Sequence, residues 1–262
     1  MNRLATSLLL FFIVTTCYGQ PVQLAPPLLK YQSVFFRDTA AVELSFAQQG
    51  TSIHYTLNNQ LPTEKDKIYT RPIRVDNLIT TVKAITAGEG FLSSEVVAAT
   101  FIKDGLKIIS IQQTAANERF PGNGNNTLID NEGGVADLNA KTWFGYQQDS
   151  VEINMLLEDK QKISSVLIHC LQDNGGWIFL PEHIQVFYFE EAKKSFQLVA
   201  EQWNPSKEII TGASCVPIII TLPKKIMARK IKIVLKGIQS LPEGHPGKGK
   251  PGWLFIDEIK LY

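Results

Sequence analysis

Six consecutive residues, Gln172-Asp173-Asn174-Gly175-Gly176-Trp177, place a large aromatic ring and three hydrogen-bonding side chains on one glycine-bearing loop. An indole face beside a few fixed polar groups is what holds a sugar: the ring packs on its C–H face and the polar atoms meet its hydroxyls. Trp177, Asn174 and Gln172 are therefore candidate ligand-binding residues. Trp177 runs into Ile178-Phe179-Leu180, so a packing contact between domains competes with that role. His245 with Trp253 is a second aromatic–polar pairing. Trp143 with Tyr146 is a third, for which core packing is the favoured reading.

The loop must be carried by the segments around it, within Ile163–Phe189. On one side Val166, Ile168 and Cys170 alternate with Ser165, Leu167 and His169; on the other, Ile184, Val186 and Tyr188 alternate with Gln185, Phe187 and Phe189. β-Branched and aromatic residues at period 2 predict two strands, and two fairly apolar faces suit the middle of a sandwich. A loop at one end of a sheet is where binding sites tend to be built.

The chain has 262 residues and a formal net charge of +1. That length allows one large or two modest domains, and the charge balance asks for neither nucleic acid nor an anionic membrane. Asn2-Arg3 followed by the apolar run Leu8–Val14, with Cys17 and Gly19 at the −3 and −1 positions before Gln20, reads as a secretory signal peptide over 1–19. The run is too short to span a bilayer, which takes about 20 apolar residues. A lipoprotein signal acylated at Cys17 is the competing reading, but Val14-Thr15-Thr16 makes a poor lipobox. The expected location is secreted or periplasmic. Cys170 and Cys215 remain after cleavage; a disulfide and two buried thiols both fit the sequence.

Residues 20–30 are Pro-rich and read as an extended leader. Short alternating runs follow at Ala41–Phe46, Ser52–Leu57, Ile68–Val75, Thr81–Ala87 and Ser94–Phe101. Gln49-Gly50, Asn58-Asn59, Asp76-Asn77 and Gly88-Glu89-Gly90 separate them. Within this half an ordered string appears: Ile53-His54-Tyr55-Thr56-Leu57-Asn58, Leu61-Pro62-Thr63, Ile68-Tyr69, Arg71-Pro72-Ile73, Thr81-Val82-Lys83-Ala84-Ile85 and Gly90-Phe91-Leu92-Ser93-Ser94. It resembles the chitobiase/β-hexosaminidase C-terminal domain, a small immunoglobulin-like sandwich without catalytic residues, over 31–103. Asn58-Asn59 stands where that family often has Asp-Gly, and both dipeptides tolerate the left-handed turn.

Asp104-Gly105 marks a joint. Strands are expected at Leu106–Gln112, Val151–Leu156, Ile163–Phe189, Phe196–Glu201, Val216–Leu222, Arg229–Leu235 and Leu254–Leu261, with a polar loop over Phe120–Asn139. Residues 104–262 resemble the discoidin, or coagulation factor 5/8 type C, jelly roll. The likeness rests on Asn126-Thr127-Leu128-Ile129-Asp130-Asn131 with Trp143-Phe144-Gly145-Tyr146, on Val151-Glu152-Ile153 with Ile163-Ser164-Ser165-Val166, and on Ile256-Asp257-Glu258-Ile259. Leu171-Gln172-Asp173 and Trp177-Ile178-Phe179-Leu180-Pro181 resemble the version appended to bacterial family 20 β-hexosaminidases. The expected fold is thus all-β, an immunoglobulin-like sandwich followed by a discoidin-like jelly roll.

The resemblance also implies a structural Ca2+ pinning the long loop. Asp130 and Glu258 map onto its carboxylates, and carbonyls at Leu128 and within Asn139–Thr142 onto the rest of a shell that needs six to eight oxygens. The alternative is that Asp130 caps a turn and Glu258 is a solvated edge charge. The His/Arg/Asn set that such modules use for sugars has no clear copy, although Arg119 and Asn126 are available.

Other chemistry is poorly represented. Gly244–Pro251 fits seven positions of a P-loop, but Pro251 replaces the Ser/Thr and a strand follows, so it reads as a flexible basic loop. His54, His169 and His183 read as packed or surface residues, and Asn125 begins a glycosylation sequon. No G-x-S-x-G or H-E-x-x-H is present. Asp257 and Glu258, adjacent on a strand, are expected on opposite faces, unlike a glycosidase pair. The sequence points to an exported, non-catalytic carbohydrate-binding accessory protein for envelope, host or dietary glycans, with an envelope glycosidase or other protein as a further partner; the alternative is a protein–protein interaction scaffold of the bacterial envelope, and a hydrolase is the weakest reading.

Overall fold

The computed structural model describes residues 22–204 and 210–262; the expected signal segment, with Cys17, lies outside the described residues. Among the described residues no helix is long and apolar enough to cross a membrane. The chain is all-β, as expected, and is built as two sandwiches in series.

The first sandwich holds β1 (Val22–Gln23), β2 (Leu28–Lys30), β3 (Phe35–Phe36), β4 (Ala40–Ser45), β5 (Thr51–Thr56), β6 (Lys67–Ile68), β7 (Ile73–Val75), β8 (Ile79–Gly88), β9 (Phe91–Leu92) and β10 (Val97–Lys103). One sheet has the order β3-β10-β8-β5-β6, the other β2-β4-β7, and β1 pairs with β9. Alternation does what the pattern requires: Val42 and Leu44 of β4 are buried while Ala41, Glu43 and Ser45 are exposed. They join Ile53, Val75, Val82, Ala84 and Phe101 in one core. Two expectations need correction. The run Ile68–Val75 is two strands in different sheets, because Pro72 lacks an N–H and interrupts the ladder. The segment 20–30 is no free leader: its described part supplies β1 and β2, with Val22 opposite Phe91 and Leu29 opposite Leu44.

The second sandwich holds β11 (Ile108–Gln113), β12 (Phe144–Tyr146), β13 (Val151–Gln172), β14 (His183–Glu190), β15 (Ser195–Trp203), β16 (Ser214–Lys236) and β17 (Leu254–Leu261). The runs expected as four separate strands are two long ones, β13 and β16, paired along most of their length. Each end of this ribbon takes different neighbours. The first part of β13 pairs with β11 and its last part with β17; the last part of β16 pairs with β14. The register breaks between Leu156 and Gln161 and again between Ile163 and Ser165, where Glu158–Lys162 and Pro223-Lys224-Lys225 are all exposed. Bulges there bend the ribbon. It thereby serves two layers, β11-β13-β16-β14-β15 and β12-β17-β13-β16. Ile153, Leu157, Val166, Ile168, Ile184, Val186, Ile220, Ile233, Ile256 and Ile259 fill one core.

The two sandwiches are packed together. Val34, Phe35 and Ile102 of the first bury against Leu167 of the second. The Tyr262 hydroxyl donates to the Lys103 carbonyl at 2.6 Å, and the Leu106 N–H donates to the Leu261 carbonyl. A Cβ on Gly105 would collide with that same carbonyl, so the joint tolerates only glycine at that position without a shift.

Cys170 and Cys215 sit on adjacent strands but opposite faces of one sheet. Cys170 belongs to the sandwich core, whereas Cys215 packs with Trp143, Leu171 and Phe255 on the other side. Both are free thiols. Burial pushes both up, Cys215 to about 12, which leaves almost no thiolate near neutrality. In protein lacking residues 1–19, a thiol-reactive chromogenic disulfide at pH 8 should therefore label neither cysteine in native protein and both in guanidinium. Fast labelling of the folded protein would contradict this packing.

Candidate functional site

The loop after β13 brings the sequence candidates together, but as a packed unit. Trp177 has a φ of 67°, uncommon for so large a residue, and its N–H donates to the Asn174 carbonyl at 3.1 Å. Its ring meets His245 edge-on at 5.6 Å, with Lys250 Nζ 5.6 Å from the ring centroid. A Cβ on Gly247 would lie 2.7 Å from the indole, so glycine is what lets the ring in. His245 is buried. Its Nδ1 accepts from the Gly247 N–H at 3.0 Å, so its Nε2 donates to the Asn174 carbonyl at 2.8 Å. Asn174 is fully buried; its Oδ1 accepts from the Ile210 N–H at 2.8 Å and faces Gln172 Nε2 at 3.5 Å. Its Nδ2 is buried with no partner among the described residues. Trp253 reaches the same end by bridging Ile178, and its ring meets Phe120 edge-on at 5.2 Å.

These contacts are made between protein groups. They tie the 244–251 segment, expected to be flexible, to the connection between β13 and β14. Further bonds from Lys248 to His245 and from Lys250 to Gly247 close that segment on itself. Trp143 is a core residue, with its Nε1 donating to the Val135 carbonyl at 3.1 Å; Tyr146 is buried as well. Beside them Arg119, Phe120, Asn139 and Lys141 line a cleft of about 460 Å³. The Arg119 guanidinium lies 5.1 Å from the centre of the Phe120 ring.

The carboxylates at the C-terminus depart from the alternation expected of a strand. Glu258 is opposite His169 and Ile256 is opposite Cys170, so Asp257 is the extra residue of a bulge. Ile256 and Ile259 both enter the sandwich core, and Asp257 and Glu258 therefore share the other face. Both are fully buried. Asp257 Oδ1 lies 2.6 Å from His169 Nδ1, and its Oδ2 accepts from the Gly134 N–H at 2.8 Å. His169 is stacked on Trp143 and meets Phe35 edge-on. Glu258 Oε2 accepts from the Asn131 N–H at 2.8 Å, and its Oε1 accepts from Lys260 Nζ at 2.9 Å. The same ammonium donates to Asp104 Oδ1 at 3.1 Å and to Asn131 Oδ1. Burial pushes the Glu258 carboxyl up to about 8 against the pull of Lys260, and burial also raises Asp130.

This arrangement does not fit the calcium shell expected from Leu128, Asp130, Thr142 and Glu258. The cation beside Glu258 is an ammonium, which would repel a dication at bonding distance. Asp130 Oδ1 is taken by the Glu132 N–H at 2.8 Å, as in the turn-capping alternative, while Glu258 is buried rather than solvated. Among the described residues no three His, Cys, Asp or Glu side chains gather as metal ligands. The Thr142 hydroxyl is buried with no partner among the described residues.

A further aromatic group escaped the sequence reading. Trp203, the last residue of β15, is 64% exposed, while His183 opposite it on β14 is 5% exposed. The rings are stacked, with centroids 3.8 Å apart and planes 8° from parallel. His183 Nε2 lies 3.3 Å from Glu201 Oε2. One indole face is thus held on a fixed ring and the other is open. The signal was present in Glu201-Gln202-Trp203-Asn204, a lone Trp on the polar phase of an alternating strand.

Above pH 8, where the Glu258 carboxyl is ionised, Lys260→Met should destabilise the fold by about 3–5 kcal/mol, the cost of leaving a buried charge unpaired, and by less at pH 6, where that carboxyl is protonated. Lys260→Met with Glu258→Gln should recover most of that loss in urea unfolding. Equal stability of Lys260→Met and the unaltered protein would refute the role assigned to the ammonium.

Comparison with known proteins gives a sequence match for part of the chain. No curated protein matches it. Among solved structures, the family 32 carbohydrate-binding module of Streptococcus pneumoniae EndoD is 15% identical, with a TM-score of 0.38, over 61% of this chain and 96% of that one. The C-terminal domain of a chitobiase from Bacteroides fragilis is 17% identical, with a TM-score of 0.34, over 60% of this chain and 91% of that one. A GH29 fucosidase from Ruminococcus gnavus is 16% identical, with a TM-score of 0.34, over 58% of this chain; the match spans 24% of the fucosidase. Residues 32–98, which contain the string from Ile53 to Ser94, match the family model of the chitobiase/beta-hexosaminidase C-terminal domain.

Proposed function

We propose that the protein is an exported, non-catalytic carbohydrate-binding protein that accompanies an envelope glycosidase. The observation that carries the reading is Trp203. An exposed indole fixed by stacking on His183 offers a preordered apolar plane, and Glu201, Gln185 and Lys236 neighbour it by strand register. Such a plane loses little conformational entropy when a sugar ring packs on it. The match of residues 32–98 supports an accessory role. The non-catalytic reading is supported by the buried carboxylates Asp257 and Glu258, both committed to protein partners. A protein partner is the second reading, favoured by Leu198, which is exposed four register positions from Trp203 on an edge strand.

A glycan array with residues 20–262 should show binding that Trp203→Ala weakens about thirtyfold or more, the effect of removing a central aromatic anchor. Thermal stability should change little, since the ring is mostly exposed. Chelation should leave binding intact. Absence of binding by folded protein, or full binding by Trp203→Ala, would defeat the proposal.

A further inference from the structure

The solvent face that carries Trp203 continues along three strands, and its side chains follow from the register. Ile184 and Val186 of β14, Ala200 of β15 and Ile231, Ile233 and Leu235 of β16 enter the core. Their neighbours along each strand therefore face outward. Lys236 and Trp203 flank His183; Val234 and Glu201 flank Gln185; Lys232 and Leu198 flank Phe187. Phe189 lies opposite Phe196 and beneath Lys230. The result is a row of three lysines, Lys230, Lys232 and Lys236, beside a row of rings.

The rings set where the charges stand. Lys230 Nζ is 4.8 Å from the Phe189 centroid, and Lys232 Nζ is 5.1 Å from Phe187 and 4.9 Å from Phe196. Long stems lying on aromatic faces hold their ammonium groups near the sheet instead of letting them wander. Two acids beside this face are committed. Glu152 is 3.6 Å from Lys232 and Glu201 is 3.3 Å from His183. Among the described residues neither Lys230 nor Lys236 has a carboxylate partner. From Lys230 to Lys236 the row spans about 20 Å at roughly 3.4 Å per residue. Beside it Ser110, Gln112, Asn154 and Phe196 line a groove of about 290 Å³.

We propose that this face binds an acidic polysaccharide, with a sugar ring packed on Trp203 and the carboxylates or sulfates of successive units meeting Lys236, Lys232 and Lys230. The proposal rests on the carbohydrate-binding reading and adds the charge class of the glycan and the direction in which it runs. A chain laid along β16 reaches all three lysines, whereas a single sugar reaches at most one. Charge complementarity selects the occupant: a neutral glycan gains nothing from two unpaired ammonium groups, and an anionic chain neutralises them.

The test uses residues 20–262 with polygalacturonate and with the same polymer after its carboxyl groups are reduced to neutral hydroxymethyl groups, read by isothermal titration calorimetry. Binding should be strong for the acid form, weak for the reduced form, and weakened by raising salt from about 50 to about 500 mM, which screens exposed charge. Lys230→Gln and Lys236→Gln should each reduce affinity about two- to fivefold, as expected for exposed ion pairs, and the pair together about tenfold with a flatter salt dependence. Trp203→Ala should abolish binding. Equal binding of both polymers, lost in Trp203→Ala, would overturn the anionic assignment while leaving a sugar-binding protein. No binding of either polymer would overturn it too, and a positive glycan array would then preserve the broader reading. Full affinity in the double lysine variant would overturn it directly. Equal, lysine-dependent binding of a single-stranded oligonucleotide would show a general anion surface and also overturn it.

Discussion

One extra residue in the last strand governs the interior of this protein. The bulge at Asp257 turns two successive carboxylates to the same side of β17, and the first sandwich closes over that side. Two adjacent acids sealed from water are tolerable only if their polar atoms find partners. His169 and Lys260 supply them, each from a position shared with the domain boundary. His169 touches Phe35 of the first sandwich, and Lys260 binds Asp104 at the joint. The electrostatic requirement of the bulge and the cohesion of the two sandwiches are therefore one arrangement.

The second constraint is the bent ribbon of β13 and β16. A strand of ordinary length serves one layer, but these two serve both, turning where Glu158–Lys162 and Pro223–Lys225 reach solvent. The bend places the hydrophobic ends of both strands around a single core. It also fixes which residues of β16 look outward beside β14. The lysine row and the Trp203 platform are consequences of that register, so ligand-facing chemistry is set by how the core is closed.

The sequence was informative where side-chain period decides structure and silent where a single residue changes the period. Val42 and Leu44, or Ile184 and Val186, declare their faces by alternation, and the ordered string from Ile53 to Ser94 identifies the kind of module. Alternation assigned Asp257 and Glu258 to opposite faces because a bulge leaves no reliable local mark. Pro72, by contrast, did mark the division of Ile68–Val75, since its missing N–H is a local fact. Trp177 stands out in the sequence through its polar, glycine-rich loop, yet that loop's hydrogen bonds are spent on His245, Asn174 and the backbone. Trp203 lay in an ordinary strand, and its value depends on His183, twenty residues earlier and adjacent only after folding. The residues expected to hold calcium do not fit it because Lys260, two positions on from Glu258 and on the same face of β17, places its ammonium against that carboxylate.

The joint around Gly105 carries a mechanical consequence. Phe35, Ile102, Leu167 and Tyr262 interlock across it, and the Leu261 carbonyl occupies the space where a side chain at residue 105 would be. With no slack at that point, the pair cannot swivel like beads on a string. A surface on the second sandwich is aimed by the first, at a set angle and stand-off. If such a pair is tethered beside another binding unit, the local concentration it sees depends on the tether's length and stiffness, not on internal bending. The two sandwiches would act as a rigid bracket that fixes the direction from which a polymer is approached.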